Sequence, residues 1–586
     1  MRNVRRVLAL GSVLMCCAGL GTVVSASPAS PPPSCKGLPP VVSHLPGGSR
    51  PSSTRTLVAC GGSTGYAGAE SHIVATRSGA VVFTPAVLPH DLLGTGTAPV
   101  PVGQDTQSNA SPAGQAVTAD GGRTWKLVKP LGITWNPTDH GDYADPDTGR
   151  LFFADYGPIP LAPELGAEQE GPAHLLWSPD DGRTWHHSAI DTVFLPENPR
   201  YTSGRAPAGG AKPVGYPNVV YFCANSNVGF TSPAINSRGC WASLDGGGSW
   251  TQKGTVLRAA PPVHPECGNA GEDYSAIDGS YPQAASDGSL YLMVSCGGAT
   301  YLARSTDEAA TFPVLHRPGG AAVTLPLPSV GPGLNLGLSD LRVGGGDVLY
   351  LVDQETLEAR TTLMLRVSRD LGRTWSRPVD LLAPGLQSVL HWSMAVQGDQ
   401  VVVAYLGHRS GVTTWDGWIT STSGVAAALA TGSVPRLVSG QVNSSSRPLL
   451  FGDEVQGGGT FQLPGPLGNQ VPFPPPFDIQ VFGNDFIGAT ITPAGEPWGS
   501  FTQDCGPSPS SAGCVAQKGQ TRGWAGHLLA VSASVVRPVA APPAAAPPAA
   551  VSPRQLPATG GVPGLAALGF VLLAVVLPAR RSARRC

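Results

Sequence analysis

Apolar residues in this chain come in short runs, each bounded by Gly, Asp, Ser or Pro. Arg150–Asp155, Ser289–Val294, Asp347–Val352 and Gln400–Tyr405 are rich in β-branched and aromatic side chains, which is the pattern of short strands. A second set of runs, such as Ala173–Ser178 and Thr362–Ser368, leads into a polar octapeptide. That octapeptide occurs five times, at 118–125, 178–185, 243–250, 305–312 and 368–375, with starts 60, 65, 62 and 63 residues apart. The aromatic residue closing each copy opens a further strand. The unit is therefore four short antiparallel strands in about 62 residues, the size of a propeller blade. First strands are expected near Ser71, Asp142, Arg200, Asp273, Asp340, His391 and Asp485. The sixth unit retains only a worn copy of the octapeptide around Asp416–Ser421, and the last is expected to borrow its missing strand from Arg55–Ala59. The expected fold is all-β: a single six- or seven-bladed β-propeller of four-stranded antiparallel blades, with seven the favoured count.

The octapeptide reads S/T-x-D-x-G-x-T/S-W/F, with Asp120, Asp180, Asp245, Asp307 and Asp370 at its third position and Trp125, Trp185, Trp250, Phe312 and Trp375 at its end. A carboxylate here can accept turn N–H groups, the Gly supplies positive φ, and the ring can pack between sheets. The pattern resembles the Asp box (BNR repeat) of sialidases and related propellers. In that family the boxes lie on outer hairpins away from the active site, so the resemblance implies a structural role. The fourth copy has Ala309 in place of the Gly, and a distorted turn is expected there.

Composition sharpens this. Gly (76) and Pro (59) are abundant without a collagen period, and only 13% of residues are charged, so the chain is neither collagenous nor charge-swollen and disordered. Pro/Gly-rich insertions at 155–171, 197–217 and 453–480 are expected as surface loops. Residues 1–26 have a basic start, an apolar stretch Val7–Val24 and the small-residue site Val24–Ala26, as in a signal peptide. Residues 27–51 form a Pro/Ser-rich N-terminal segment, 52–534 the propeller and 535–555 a Pro/Ala-rich spacer. Residues 556–586 hold Leu556–Gly560 (LPATG), the apolar run Val562–Ala579, close to the length that spans a bilayer, and four terminal arginines. This resembles the sortase sorting signal of Gram-positive surface proteins. The resemblance implies cleavage between Thr559 and Gly560, with sortase and cell-wall peptidoglycan as partners, and an exported protein covalently anchored at the cell surface.

The two end segments carry seven arginines and no acidic residue. Without them 30 Lys+Arg face 39 Asp+Glu, a net charge of −9 against −2 for the whole chain. Such an acidic body does not suit nucleic acid. Outside the ends there are eight cysteines: Cys35, Cys60, Cys223, Cys240, Cys267, Cys296, Cys505 and Cys514. An even count in an exported chain points to disulfides, and local pairing, 35–60, 223–240, 267–296 and 505–514, is the expectation.

Ligands of propellers gather where the innermost strands converge. Asp142, Asp273, Asp340 and Asp485 each open an expected first strand, followed by Tyr143 and Tyr274 in two cases; Arg342 is the one further arginine expected to face inward. His72, His140 and His391 lie near the same level. Converging carboxylates can bind Ca2+, raise one another's pKa to supply a general acid, or simply cap their own blades. Neither functional reading requires a cofactor; a structural Ca2+ is compatible with both. A sialidase needs three arginines on the substrate carboxylate, a Tyr/Glu nucleophile pair and an Asp. The family's Arg-Ile-Pro segment is absent, and Arg123, Arg183 and Arg373 belong to the boxes. The favoured reading is a surface module that binds a glycan or protein; the alternative is an exo-acting glycoside hydrolase of the exo-α-sialidase type.

Overall fold

A computed structural model describes residues 41–43, 55–65, 71–85, 115–128, 141–155, 173–190, 195–227, 237–258, 262–268, 281–296, 298–327, 339–357, 360–412, 414–451, 460–462, 470–472, 487–504 and 521–532. The remainder includes 1–26, Cys35, His140, Asp273, Tyr274, Asp485, Cys505, Cys514, the spacer 535–555, and Thr559 and Gly560; expectations resting on these lie outside the described residues.

Among the described residues eight antiparallel sheets occur: seven follow one another along the chain as seven blades, and the eighth is a two-stranded hairpin, Thr460–Gln462 with Gln470–Pro472, inside the expected loop 453–480. The innermost strands of the blades are His72–Ala75, Asp142–Ala144, Leu195–Gly204, Gln283–Ala284, Ser339–Val343, Leu386–Gln397 and Gly488–Ile491. Each approaches the next, and the last approaches the first. Five blades have four strands in simple up-and-down order. The fourth has three strands, its outer edge reduced to isolated bridges such as Ala303 with Val314. The sixth is enlarged by Leu450–Phe451 and by Val41–Ser43, which pairs with Leu437–Gln441. Val41–Ser43 falls in the segment expected to precede the propeller. The seventh blade is completed by Arg55–Ser63, paired with Thr521–Ser532, so the ring is closed by N-terminal chain as expected.

Why the sequence closes this way is visible in the core. Seven buried clusters alternate with the seven blades. The cluster of Val82, Leu151, Phe153 and Leu176 joins the first two blades, and that of Ile73, Phe83, Trp498 and Ala525 joins the last to the first. In every strand alternate residues serve opposite seams, so each apolar run is buried on both faces. Each fully buried Leu or Phe contributes about 1.5–3 kcal/mol.

The five octapeptides fold alike. In each, the Asp accepts from the N–H and hydroxyl of the residue four positions on: Thr124, Thr184, Ser249, Thr311 and Thr374. The opening hydroxyl donates to the Asp and accepts the N–H at the fifth position, as in Ser368 Oγ to Asp370 Oδ1 (2.9 Å) and Gly372 N to Ser368 Oγ (2.8 Å). Burial alone would raise the Asp120 carboxyl, but the Thr124 and Thr118 hydrogen bonds, with Arg123, outweigh it and bring the pKa to about 2. The rings pack into the seams, Trp125 edge-on to both Phe83 and Trp498.

Four expectations are corrected. The fourth octapeptide is not distorted: Ala309 adopts φ +64° and its N–H still reaches Ser305 Oγ at 3.0 Å. The hydrogen-bond set holds the left-handed turn against the cost of a Cβ, and the methyl is fully buried in the seam. Around Asp416 there is no worn octapeptide; Asp416 lies within the strand Thr414–Thr422, paired with Gly407, at the end opposite to the box position. Its oxygens are taken by Asn443 Nδ2 and Arg409 Nη1, each at 2.8 Å. The expected loop 197–217 begins as strand, since Leu195–Gly204 pairs with Val219–Asn227. The innermost strand of the fourth blade is Gln283–Ala284, further along the chain than Asp273.

Cys223 pairs with Cys240 and Cys267 with Cys296, as expected, and Cys60 is also disulfide-bonded. These bonds suit an oxidising, extracellular environment. No described helix is long and apolar enough to cross a membrane. The contacts of the chain set 1–536 apart from Arg537–Cys586, and all of the latter lies outside the described residues.

Candidate functional site

Innermost strands start at one end of the ring, and the octapeptide turns, which follow third strands, lie at the other. Exposed Arg123, Arg183 and Arg373 are therefore remote from the starts of the inner strands. Asp142 opens the second blade's inner strand, Asp340 and Arg342 lie on the fifth's, and Arg200 lies on the third's.

Asp142 shares the first seam with Gln115, which stands at the same end of the neighbouring blade. Gln115 Nε2 donates to Asp142 Oδ1 at 3.5 Å. Asp142 Oδ2 and Gln115 Oε1 are buried; the Thr84 hydroxyl hydrogen-bonds to the Asp142 carboxyl, while Gln115 Oε1 has no hydrogen-bond partner among the described residues. Burial pushes the Asp142 carboxyl up to about 7, with Thr84, Arg200 and Gln115 pulling the other way. Near neutral pH this group is therefore part acid, part carboxylate.

Asp340 and Arg342 form an ion pair. Arg342 Nε and Nη2 both meet Asp340 Oδ2, at 3.0 and 2.9 Å. Burial raises the Asp340 pKa, with Arg342 and Arg200 opposing. Arg200 thus acts on Asp142 and on Asp340 alike. Asp340 belongs to the fifth blade and Arg200 to the third, so this charge interaction spans the fourth blade rather than a single seam. Arg200 Nη1 donates to Pro199 O at 2.9 Å, and its guanidinium lies 4.6 Å from the Tyr281 ring centroid. Arg238, fully buried, stands 4.6 Å from the same ring.

Other expected groups are placed elsewhere. Tyr143 turns into the seam between the second and third blades, where its hydroxyl lies 2.8 Å from Ser203 Oγ and accepts Ser203 N–H at 3.1 Å. Burial pushes its pKa well above the ordinary tyrosine value, so the structure does not prepare Tyr143 as a nucleophile. His391 occupies a bulge in the sixth inner strand with φ +37°. Among the described residues no group of three or more His, Cys, Asp and Glu is arranged to hold a metal ion. Of the expected channel residues, the structure pairs Asp340 with Arg342, and the charge of Arg200 bears on both Asp142 and Asp340.

Arg200, Gln115 and Tyr281 were not singled out as site residues. Only Arg200 carried a signal, because the sequence puts it at the start of an expected inner strand as it does Asp142; in the structure it lies within Leu195–Gly204. A second buried charge group was also missed. Arg366 Nη1 and Nη2 bind Asp353 and Glu355 at the top of the fourth–fifth seam. Burial pushes Asp353 up, against Arg366. Two acidic residues at a spacing of two in an apolar strand were the available sign.

No protein-family model matches the chain, and no curated protein sequence matches it. Solved structures do resemble it distantly. A protein of unknown function from Dyadobacter fermentans aligns over 66% of this chain and 96% of its own, with 13% identity and a TM-score of 0.36. An α-L-arabinanase of Penicillium chrysogenum, complexed with arabinobiose, aligns over 52% and 92%, with 14% identity and a TM-score of 0.31. A GH43 endo-arabinanase from Bacillus licheniformis aligns over 53% and 95%, with 11% identity and a TM-score of 0.25. The likeness concerns the propeller fold alone.

Proposed function

We propose that this is an exported, wall-anchored propeller of the Asp-box, sialidase-like kind, which binds a glycan at the channel end where Asp142, Arg200, Asp340 and Arg342 meet. Buried polar groups are normally satisfied, and an orphaned one at a convergence of strands calls for a ligand or water. The observation that carries the reading is the buried pair of Asp142 and Gln115, whose Oε1 has no hydrogen-bond partner among the described residues, while the charge of Arg200 bears on Asp142 and on Asp340. Sugar hydroxyls supply the donors such oxygens lack. Anchoring rests on the LPATG segment, apolar run and arginines at 556–586, and export on residues 1–26 and the disulfides.

One observation favours the second reading, a glycoside hydrolase. A carboxyl with a pKa of about 7 is a competent general acid at neutral pH, and Asp340 is a second carboxyl on which Arg200 also acts. The purified full chain, applied to a glycan array and then to a panel of fluorogenic glycosides, separates the two. Binding without release of the fluorophore supports recognition; turnover abolished in Asp142→Asn supports hydrolysis; neither binding nor turnover refutes both.

A further inference from the structure

The charges around the channel also bear on which sugars fit, given the glycan reading above. Arg342 is the more exposed member of its pair, at 30% against 14% for Asp340, so both can meet a ligand. Yet Nε and Nη2 of Arg342 both go to Asp340 Oδ2, and the Leu341 N–H and the charge of Arg200 also support this carboxyl. Arg200 stands in the field of two carboxyls and donates to a carbonyl. Arg238 has no exposure, and Arg366 is divided between Asp353 and Glu355. Arg342 and Arg366 are matched by internal acids. Acceptor capacity lies in Gln115 Oε1, buried with no hydrogen-bond partner among the described residues, and in the remaining lone pairs of the Asp142 and Asp340 carboxyls.

We propose that the channel selects uncharged, hydroxyl-rich saccharides and rejects carboxylate-bearing ones, with Asp340 accepting ligand hydroxyls and Arg342 holding Asp340 in position. A ligand carboxylate would have to take Arg342 from Asp340 and leave an unpaired, partly buried acid behind, an arrangement that is strongly unfavourable. A hydroxyl donor asks for no such exchange, and a hydrogen bond to a charged acceptor is among the stronger neutral-ligand contacts.

The test uses the full chain on an array carrying neutral hexose and pentose oligosaccharides beside uronic and sialylated ones. Wild type is expected to hold neutral glycans at least tenfold more tightly than acidic ones. Asp340→Asn removes the internal counter-ion of Arg342 and is expected to gain tenfold or more for acidic glycans while losing affinity for neutral ones. Arg342→Gln is expected to weaken neutral binding and leave acidic glycans rejected; the gain for acidic glycans in Asp340→Asn is the change that simple misfolding would not give. Tighter binding of acidic glycans by wild type, or unchanged selectivity in Asp340→Asn, overturns the inference and leaves the glycan reading standing. Binding of no glycan by wild type overturns both.

Discussion

Asp142→Asn should flatten the pH dependence of stability. An aspartate in an unfolded chain titrates near 3.9, and in the folded protein Asp142 titrates at about 7. The folded state therefore holds this proton more tightly than the unfolded state. The resulting stability is fully present below pH 4, falls as pH rises through 4 to 7, and is gone above 7. Three units of displacement correspond to about 4 kcal/mol, because each unit is worth about 1.4 kcal/mol; relaxation around the charged form makes this a ceiling. Urea midpoints of wild type and variant, measured at pH 4.5, 6 and 8, give the difference directly. Asp353 is also displaced upward by burial, but it is present in both proteins and cancels. Wild type should lose up to about 4 kcal/mol more than Asp142→Asn between the extremes. Parallel curves would show that Asp142 is solvated in the folded protein, and the channel argument built on its burial would then fail.

The octapeptide turns offer a stability test: Asp370→Ala removes the acceptor for Thr374 N, Thr374 Oγ1 and Ser368 Oγ and should cost about 2 kcal/mol in urea unfolding, with Asp370→Asn costing less. Gly372→Ala should cost about 2–4 kcal/mol, because φ is +81° and a Cβ would lie 2.4 Å from Leu302 Cδ2; Ala309→Gly should stay within about 1 kcal/mol of wild type. The disulfides join residues 17 and 29 apart, so replacing either pair by alanines should lower unfolding free energy by about 3 kcal/mol, while peptide mapping of the native protein recovers both linked pairs. Incubation of the chain with a sortase and an oligoglycine amine should yield a product joined at Thr559, read by mass spectrometry; intact chain after the reaction would refute the anchoring proposal.

How much of this was legible in the sequence follows from the range of the interactions. The octapeptides were legible because their hydrogen bonds close within four residues, from Asp120 to Thr124 and from Asp370 to Thr374. The two disulfides were legible because the partners lie on neighbouring strands or close in sequence. Ala309 misled because its missing glycine is visible locally, whereas the buried methyl pocket that accepts it is formed by the adjoining blade. Asp416 misled for a related reason: an Asp-Gly pair reads as a turn, and only the register of the strand, set by the pairing with Gly407, makes it strand interior.

The channel lies beyond such reasoning because no local pattern brings its members together. Asp142 and Asp340 could be listed from their places at the heads of inner strands, but their chemistry depends on Arg200, whose reach to Asp340 passes the whole fourth blade. That reach exists only when the ring is closed, and closure depends on Arg55–Ser63 joining the last blade. Charge pairing across the ring also decides what the arginines are free to do. Counting arginines along the sequence, as a carboxylate-binding site would invite, treats Arg342 as available; the geometry gives it to Asp340. Arg342, which looks like a ligand-binding cation in one dimension, is in three dimensions paired with an internal acid, and the proposed preference for hydroxyls over carboxylates follows from that pairing.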